Sequence, residues 1–202
     1  MNALMGDRVR PPRDSSLSPY RRCVPDIPEV REVRPDEYEI AGAVTRLAYV
    51  EFAESASPEW AEYLNRIADI AGRAPRTTVL VAVAGDRVLG SATLELTDHI
   101  ESTWTTPVAP DEAHLRMLGV DPDQRRKGIG RLLVNACIDV ARANGRRRLT
   151  LETTERMRAA QALYRSMGFR WLRAREVAPG LSFEDYELRL DTAAGAAAAA
   201  AH

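Results

Sequence analysis

The stretch Leu118-Gly-Val-Asp-Pro-Asp-Gln-Arg-Arg-Lys-Gly-Ile-Gly-Arg-Leu-Leu133 constrains this chain more than any other. Its apolar start reads as the end of a strand, its middle as a basic loop, and Gly128 and Gly130 open an amphipathic helix. Such a junction is an anion cradle. The first amides of a helix have no carbonyl partners and sit at the positive end of its dipole, so they favour phosphate oxygens. The two glycines let backbone approach a ligand closely and permit positive φ. Arg125, Arg126, Lys127 and Arg131 add charge, and a diphosphate fits such a site. A Walker loop needs lysine and then serine or threonine directly after its last glycine, whereas Arg131 and Leu132 follow Gly130, so that reading fails. A dinucleotide fingerprint lacks its third small residue, because Leu133 stands there. Glu152 nevertheless falls near the spacing of its ribose-binding acid, so this alternative stays open, as does a plain helix entered from a basic loop.

The rest of the chain bounds what the cradle can serve. With 202 residues, 45% of them hydrophobic, there is room for one globular domain plus tails. Lysine plus arginine (28) nearly cancels aspartate plus glutamate (29), which argues against a nonspecific nucleic-acid binder and makes any anion site local. Cys23 and Cys137 have neither disulfide nor zinc-knuckle spacing, and three scattered histidines give no metal constellation. No metal is expected. The opening segment is broken by Asp7, Arg8 and Arg10 before any apolar run, and no stretch has the length of a membrane span. The expectation is a soluble cytoplasmic protein without membrane partners. Residues 1–27 mix arginine, proline and serine without periodicity and read as a flexible tail; 191–202 are almost all alanine and read as a second tail. The domain is expected over 28–190.

Within that domain helical and strand patterns alternate. Residues 29–34 read as a strand, and Pro35 opens a helix with Ile40, Val44, Leu47 and Ala48 on one face. A second helix is expected over 57–72, capped by Ser57 and burying Trp60, Leu64, Ile67 and Ala71. A hairpin through Gly85-Asp86 joins strands 78–83 and 88–96, and a looser segment with His99 and Trp104 follows. Strand 114–120 leads to helix 128–144, which buries Ile129, Leu132, Leu133, Ala136 and Val140 and ends at Gly145. Strand 149–152, helix 158–167 and strands 169–174 and 183–190, the last two joined at Pro179-Gly180, complete a mixed sheet of about seven strands. Arg146, Arg147 and Arg148 follow a helix end, where cations are favoured, and read as a solvated edge.

Two motifs carry a family resemblance. Arg125-Arg126-Lys127-Gly128-Ile129-Gly130, preceded by a strand and Asp121-Pro122, resembles the signature of the GNAT superfamily of N-acetyltransferases: Arg or Gln, two residues, Gly, one residue, Gly or Ala. Downstream, Ala160, Leu163-Tyr164 and Gly168-Phe169 resemble the family's second element. The specific part spans 112–169. The resemblance implies an α/β (α+β) fold with a GNAT-like mixed, largely antiparallel sheet of about seven strands and helices on both faces. It implies acetyl-CoA as donor and a small-molecule or protein amine as acceptor, attacked directly, in a monomer or homodimer. Leu118, Gly119 and Val120 would pair with pantetheine on a splayed strand. The loop amides and side chains from Arg125 through Ile129 to Arg131 would hold the diphosphate. The Tyr164 phenol would donate to the departing sulfur. A general base is expected among Glu152, Glu112, Glu95 and His114, with Glu152 and Glu112 the better placed and His114 more in keeping with a structural role. A noncatalytic acyl-CoA-binding module and a nucleotide-binding protein are the rivals.

Overall fold

The computed structural model describes residues 27–52, 58–97, 107–178 and 181–190. The expected Ser57 cap, His99, Trp104, the Pro179-Gly180 turn and nearly all of both tails lie outside the described residues. Seven strands form one sheet: β1 (Glu29–Glu32), β2 (Thr78–Ala84), β3 (Arg87–Glu95), β4 (Glu112–Val120), β5 (Arg148–Thr154), β6 (Arg170–Ala178) and β7 (Leu181–Arg189). Their order is β1-β2-β3-β4-β5-β7-β6. All neighbours are antiparallel except β4 and β5, which run parallel because α4 (Ile129–Ala143) crosses between them.

Alternation along the strands sorts the two faces. Leu80, Ala82, Leu94, Leu115, Leu149 and Leu151 pack with α4, while Val79, Val81, Val83 and Val88 pack with α1 (Tyr38–Val50) and α3 (Ile70–Arg73). Every residue of β2 from Val79 to Val83 is buried, as its unbroken apolar run predicts. Glu37 fixes the entry to α1. Its carboxylate takes 2.7 and 2.6 Å bonds from the Arg31 guanidinium and a 2.9 Å bond from the Arg34 amide, and these hold it at about 2, below the usual range.

Three helix faces differ from the sequence reading. In α1 the buried positions are Ala41, Gly42, Val44, Thr45 and Ala48, while Ile40 and Leu47 are half exposed. Close packing explains this: a Cβ at Gly42 would lie 2.1 Å from the Ala68 carbonyl oxygen, so the small face turns inward to admit α2 (Pro58–Ala68). The expected helix 57–72 is two helices, because the Asp69 carboxylate caps a new turn through the Gly72 amide (2.8 Å) and buries Ile70 rather than Ala71. In α4, Val134, Cys137, Ile138 and Ala141 join Ile129 and Leu133 in the core, leaving Leu132 partly exposed. The three arginines are not simply a solvated edge. Arg146 donates to the Pro110 carbonyl, the Arg147 amide bonds to Asp111, and Arg148 pairs with Glu112 at 3.1 Å, so they pin the entry to β4.

Candidate active site

The parallel ladder between β4 and β5 stops early. It pairs Glu112 with Arg148 through Leu115 with Leu151 and goes no further, although β4 continues to Val120 and β5 to Thr154. Past that point β4 stays on β3 and β5 on β7, so a wedge opens between two backbone edges. A β-bulge bends β4 away. Met117 has φ 53°, and the β3 register shifts between Ser91 and Thr93 opposite it. The Asp121 amide bonds back to the Leu89 carbonyl (2.9 Å), so strand alternation turns the peptide groups of Val120 and Leu118 toward the wedge. Gly119 serves another purpose. A Cβ there would lie 3.2 Å from both the Ala48 Cβ and the Thr45 Cα, so its missing side chain admits α1 onto the strand.

At the mouth of the wedge the cradle is built from backbone. Asp121 accepts from the Asp123 amide (3.0 Å) and from Arg87 (2.8 Å), fixing a short 3₁₀ turn at Pro122–Gln124. Arg126 (φ 61°) and Gly128 (φ 84°) then reverse the chain into α4, where Leu132 makes the first bond back to Gly128. The amides of residues 128–131 therefore lack helical acceptors. Gly130 packs closely on α5 (Arg158–Ser166): a Cβ there would lie 3.1 Å from Leu163 Cδ2. Ile129 is a core anchor. The cations are mostly engaged elsewhere. Arg125 reaches the Ala48 carbonyl (3.1 Å) and Glu51, just past the end of α1, Lys127 the Asp123 carbonyl (3.1 Å), and Arg131 the Ser166 hydroxyl (2.6 Å), while Arg126 is exposed.

Tyr164 is buried on α5, with its ring 5.6 Å from Phe169 and 6.4 Å from Tyr186. Gln161 ties that helix to the end of β5 through the Thr154 carbonyl (2.9 Å). Burial pushes the Tyr164 phenol well above its ordinary pKa, so it is a neutral hydrogen-bond donor at any physiological pH.

The acidic candidates separate. Glu152 lies one residue beyond the last β4–β5 pair, ion-paired with Arg175, which also bridges to Asp185 at 3.2 Å. Glu112 lies at the closed end, where it binds Arg148 and accepts from the Thr150 hydroxyl (2.5 Å). Glu95 is fully buried against Arg116 in β4. His114 meets the same Thr150 hydroxyl at 2.7 Å; since that hydroxyl gives its proton to Glu112, the imidazole donates from Nδ1. Burial, then Arg116 and Arg175, hold its pKa well below 6.5. Unfolding thus exposes a more basic imidazole, and stability that is complete above about pH 6.5 is lost as pH falls below it. Chemical denaturation from pH 7 to 5 is expected to show this loss, with His114→Gln reducing the slope by up to about 1.4 kcal/mol per pH unit; an unchanged slope would contradict the buried neutral imidazole.

Sequence reasoning missed Tyr49 and Tyr63. Their rings are 6.3 Å apart, continued by Phe52 at 6.5 Å and Trp60 at 5.1 Å. Burial raises both phenols, and α1, which carries Tyr49, packs against the wedge strand β4 where Ala48 and Thr45 meet Gly119. The aromatic pairs three residues apart, 49 with 52 and 60 with 63, were the available signal.

The model of the acetyltransferase (GNAT) family matches residues 34–169, well over half of the chain. The chain belongs to the GNAT family. A [ribosomal protein bS18]-alanine N-acetyltransferase of Salmonella typhimurium is 41% identical over 87 residues, which are 42% of this chain and 57% of that relative, so the match covers little more than half of its length. The crystal structure of the Escherichia coli ribosomal-protein-S18-alanine N-acetyltransferase superposes with TM-score 0.60 at 21% identity, covering 83% of this chain and 96% of that one. A GNAT family acetyltransferase from Brucella melitensis in complex with acetyl-CoA gives TM-score 0.55 at 23% identity over 83% and 90%. These two share the GNAT fold. The largely antiparallel seven-stranded sheet agrees with the fold expected from the motifs.

Proposed function

We propose that this GNAT chain transfers an acetyl group from acetyl-CoA to a primary amine by direct attack. The observation that carries the reading is the wedge after Leu115, which ends at a cradle of free helix amides, with α5, the helix that carries Tyr164, tied to the end of β5 through Gln161. The peptide groups of Leu118 and Val120 would pair with the pantetheine arm, and the amides of residues 128–131 would take the diphosphate. With Arg125, Lys127 and Arg131 bonded to protein atoms, the side chains of the loop serve chiefly to shape it.

In the reaction the amine nitrogen attacks the thioester carbonyl carbon, the C–S bond breaks, and the sulfur leaves as thiolate. Tyr164 donates a hydrogen bond to that sulfur, which suits a phenol too weakly acidic to surrender its proton. Glu152, directly or through water, is the group positioned to receive the proton lost by nitrogen. Glu112 is withdrawn from this role by its place at the closed end of the ladder.

The acceptor is read as a protein α-amine. The 41% identical relative carries an alanine N-acetyltransferase name, and this reading also places the protein in the cytoplasm. The chemistry favours it too. An α-amine of pKa about 7.8 needs about 1.1 kcal/mol to be neutral at pH 7, whereas a lysine of pKa about 10.4 needs about 4.6 kcal/mol. The test is thiol release from acetyl-CoA with peptides offering an N-terminal alanine, a lysine only, or small amines, with products identified by mass spectrometry. Acetylation of the alanine α-amine is the expected result. Donor binding without thiol release above the hydrolysis blank for every amine would make the chain a noncatalytic acyl-CoA module.

A further inference from the structure

Glu152 stands opposite a second carboxylate. The antiparallel register of β5 and β7 pairs it with Asp185, which puts the two side chains on one face with their Cβ atoms about 5 Å apart. Like charges so placed repel, and one of them gains a proton more readily unless a cation stands between. Arg175 is that cation. From β6 it reaches across the whole width of β7: its Nη2 donates to Glu152 Oε1 and its Nε to both Asp185 oxygens at 3.2 Å. Its guanidinium also lies over the Phe183 ring, 5.6 Å from the centroid, which restricts its orientation.

Asp185 has another partner. Arg173, directly across from it on β6, already donates to it at 2.9 Å. What Arg175 adds is the bond to Glu152, and Glu152 is the first residue of β5 beyond the ladder with β4, where the wedge opens. The face is informative as well. Leu151 packs in one cluster with α4 and Tyr164, so strand alternation sends Glu152 to the other face of the sheet. The carboxylate and the phenol therefore flank the wedge from opposite faces. The other titratable groups within electrostatic reach of this pair, Tyr63 and His114, are both neutral near pH 7, because burial raises the first and lowers the second.

We infer that Arg175 is a positioning residue for the proposed reaction, its guanidinium holding the Glu152 carboxylate ionised and in place where the wedge opens. This rests on the transferase reading with Glu152 as proton acceptor.

Kinetics of the full chain with acetyl-CoA and an N-terminal alanine peptide test this between about pH 5 and 8. Below the pKa of the peptide amine log(kcat/KM) falls with unit slope, and it steepens where Glu152 gains its proton. Arg175→Gln is expected to move that steepening up by about one pH unit and to lower kcat about tenfold, with KM for acetyl-CoA within about twofold of the parent. Adding Asp185→Asn removes the opposing charge and should bring the steepening back toward the parent, a reversal that a merely structural ion pair would not give. Arg175→Lys keeps the charge but has no fork to hold two carboxylates, so kcat should fall severalfold while the profile stays in place; it also serves if the glutamine variant does not fold. Parent-like kcat with an unmoved profile in Arg175→Gln, a shift that Asp185→Asn leaves unreversed, or parent-like kcat in Arg175→Lys overturns the role. Glu152→Gln separates the failures. If it keeps parent turnover, the proton-acceptor reading falls and the role of Arg175 with it; if it loses turnover while the Arg175 variants do not, only the positioning role falls.

Discussion

Tyr164→Phe is expected to lower kcat about a hundredfold while leaving acetyl-CoA affinity within about twofold of the parent. The substitution removes one oxygen and keeps the ring that packs against Phe169 and Tyr186, so the fold and the donor cradle stay as they are. On the proposed role, what is lost is a hydrogen bond that strengthens as charge develops on sulfur, and such a loss falls on turnover rather than on binding. The buried phenol titrates too high to contribute a basic limb to the rate profile. Any limb near neutrality must then belong to the acceptor amine or to the group that takes its proton, and it should persist in Tyr164→Phe. Steady-state turnover with chemistry rate-limiting, alongside calorimetry of donor binding, checks both halves. Parent-like turnover in the variant would remove Tyr164 from the reaction.

The sheet, its central apolar strand and the strand-loop-helix junction were legible because they rest on local signals. β2 has an unbroken apolar run, Gly85 and Gly145 adopt positive φ where a turn and a helix end were read, and Gly128 opens α4. What was not legible depends on contacts distant in sequence. Nothing in Met117 announces a bulge; it arises because β4 must follow β3 while parting from β5. On the inward face of α1 Val44 and Ala48 were read correctly and Ile40 and Leu47 were not, because Gly42 is small and it takes Ala68 at contact distance to turn its side of the helix inward. Gly119 was read as a backbone partner for pantetheine, and nothing local shows that its missing side chain also makes room for α1. Likewise a basic loop reads as a cluster of phosphate-binding cations, yet the carbonyls of Ala48 and Asp123 and the hydroxyl of Ser166 claim three of them. Tyr49 and Tyr63 were passed over for a simpler reason: an aromatic on an amphipathic helix looks like core, and the pairs with Phe52 and Trp60 were the one local sign of something more.

Gly128→Asp is expected to weaken acetyl-CoA binding at least a hundredfold, and comparison with Gly128→Ala separates the two causes. A Cβ at Gly128 would meet no atom within 4 Å, so the added Cβ clashes in neither variant. Both suffer the backbone, since φ of 84° is unfavourable for any side chain and costs about 1 kcal/mol, to be met by strain or by a shift of the loop. Alanine should therefore lose about fivefold in affinity through misplaced amides. Aspartate adds a negative charge at the helix entrance, where at about 5 Å and an effective dielectric of 20 it repels each unit of diphosphate charge by up to about 3 kcal/mol before salt screening. The aspartate loss should accordingly shrink as salt rises, while the alanine loss should not. Gly130→Asp is expected to impair binding by a different route, because its side chain would crowd Leu163, the neighbour of Tyr164 on α5. Calorimetry on folded variants at two ionic strengths measures all of this. Native affinity in Gly128→Asp would move the diphosphate away from this loop, and a salt-independent loss would mean that the loop binds through shape and not through its free amides.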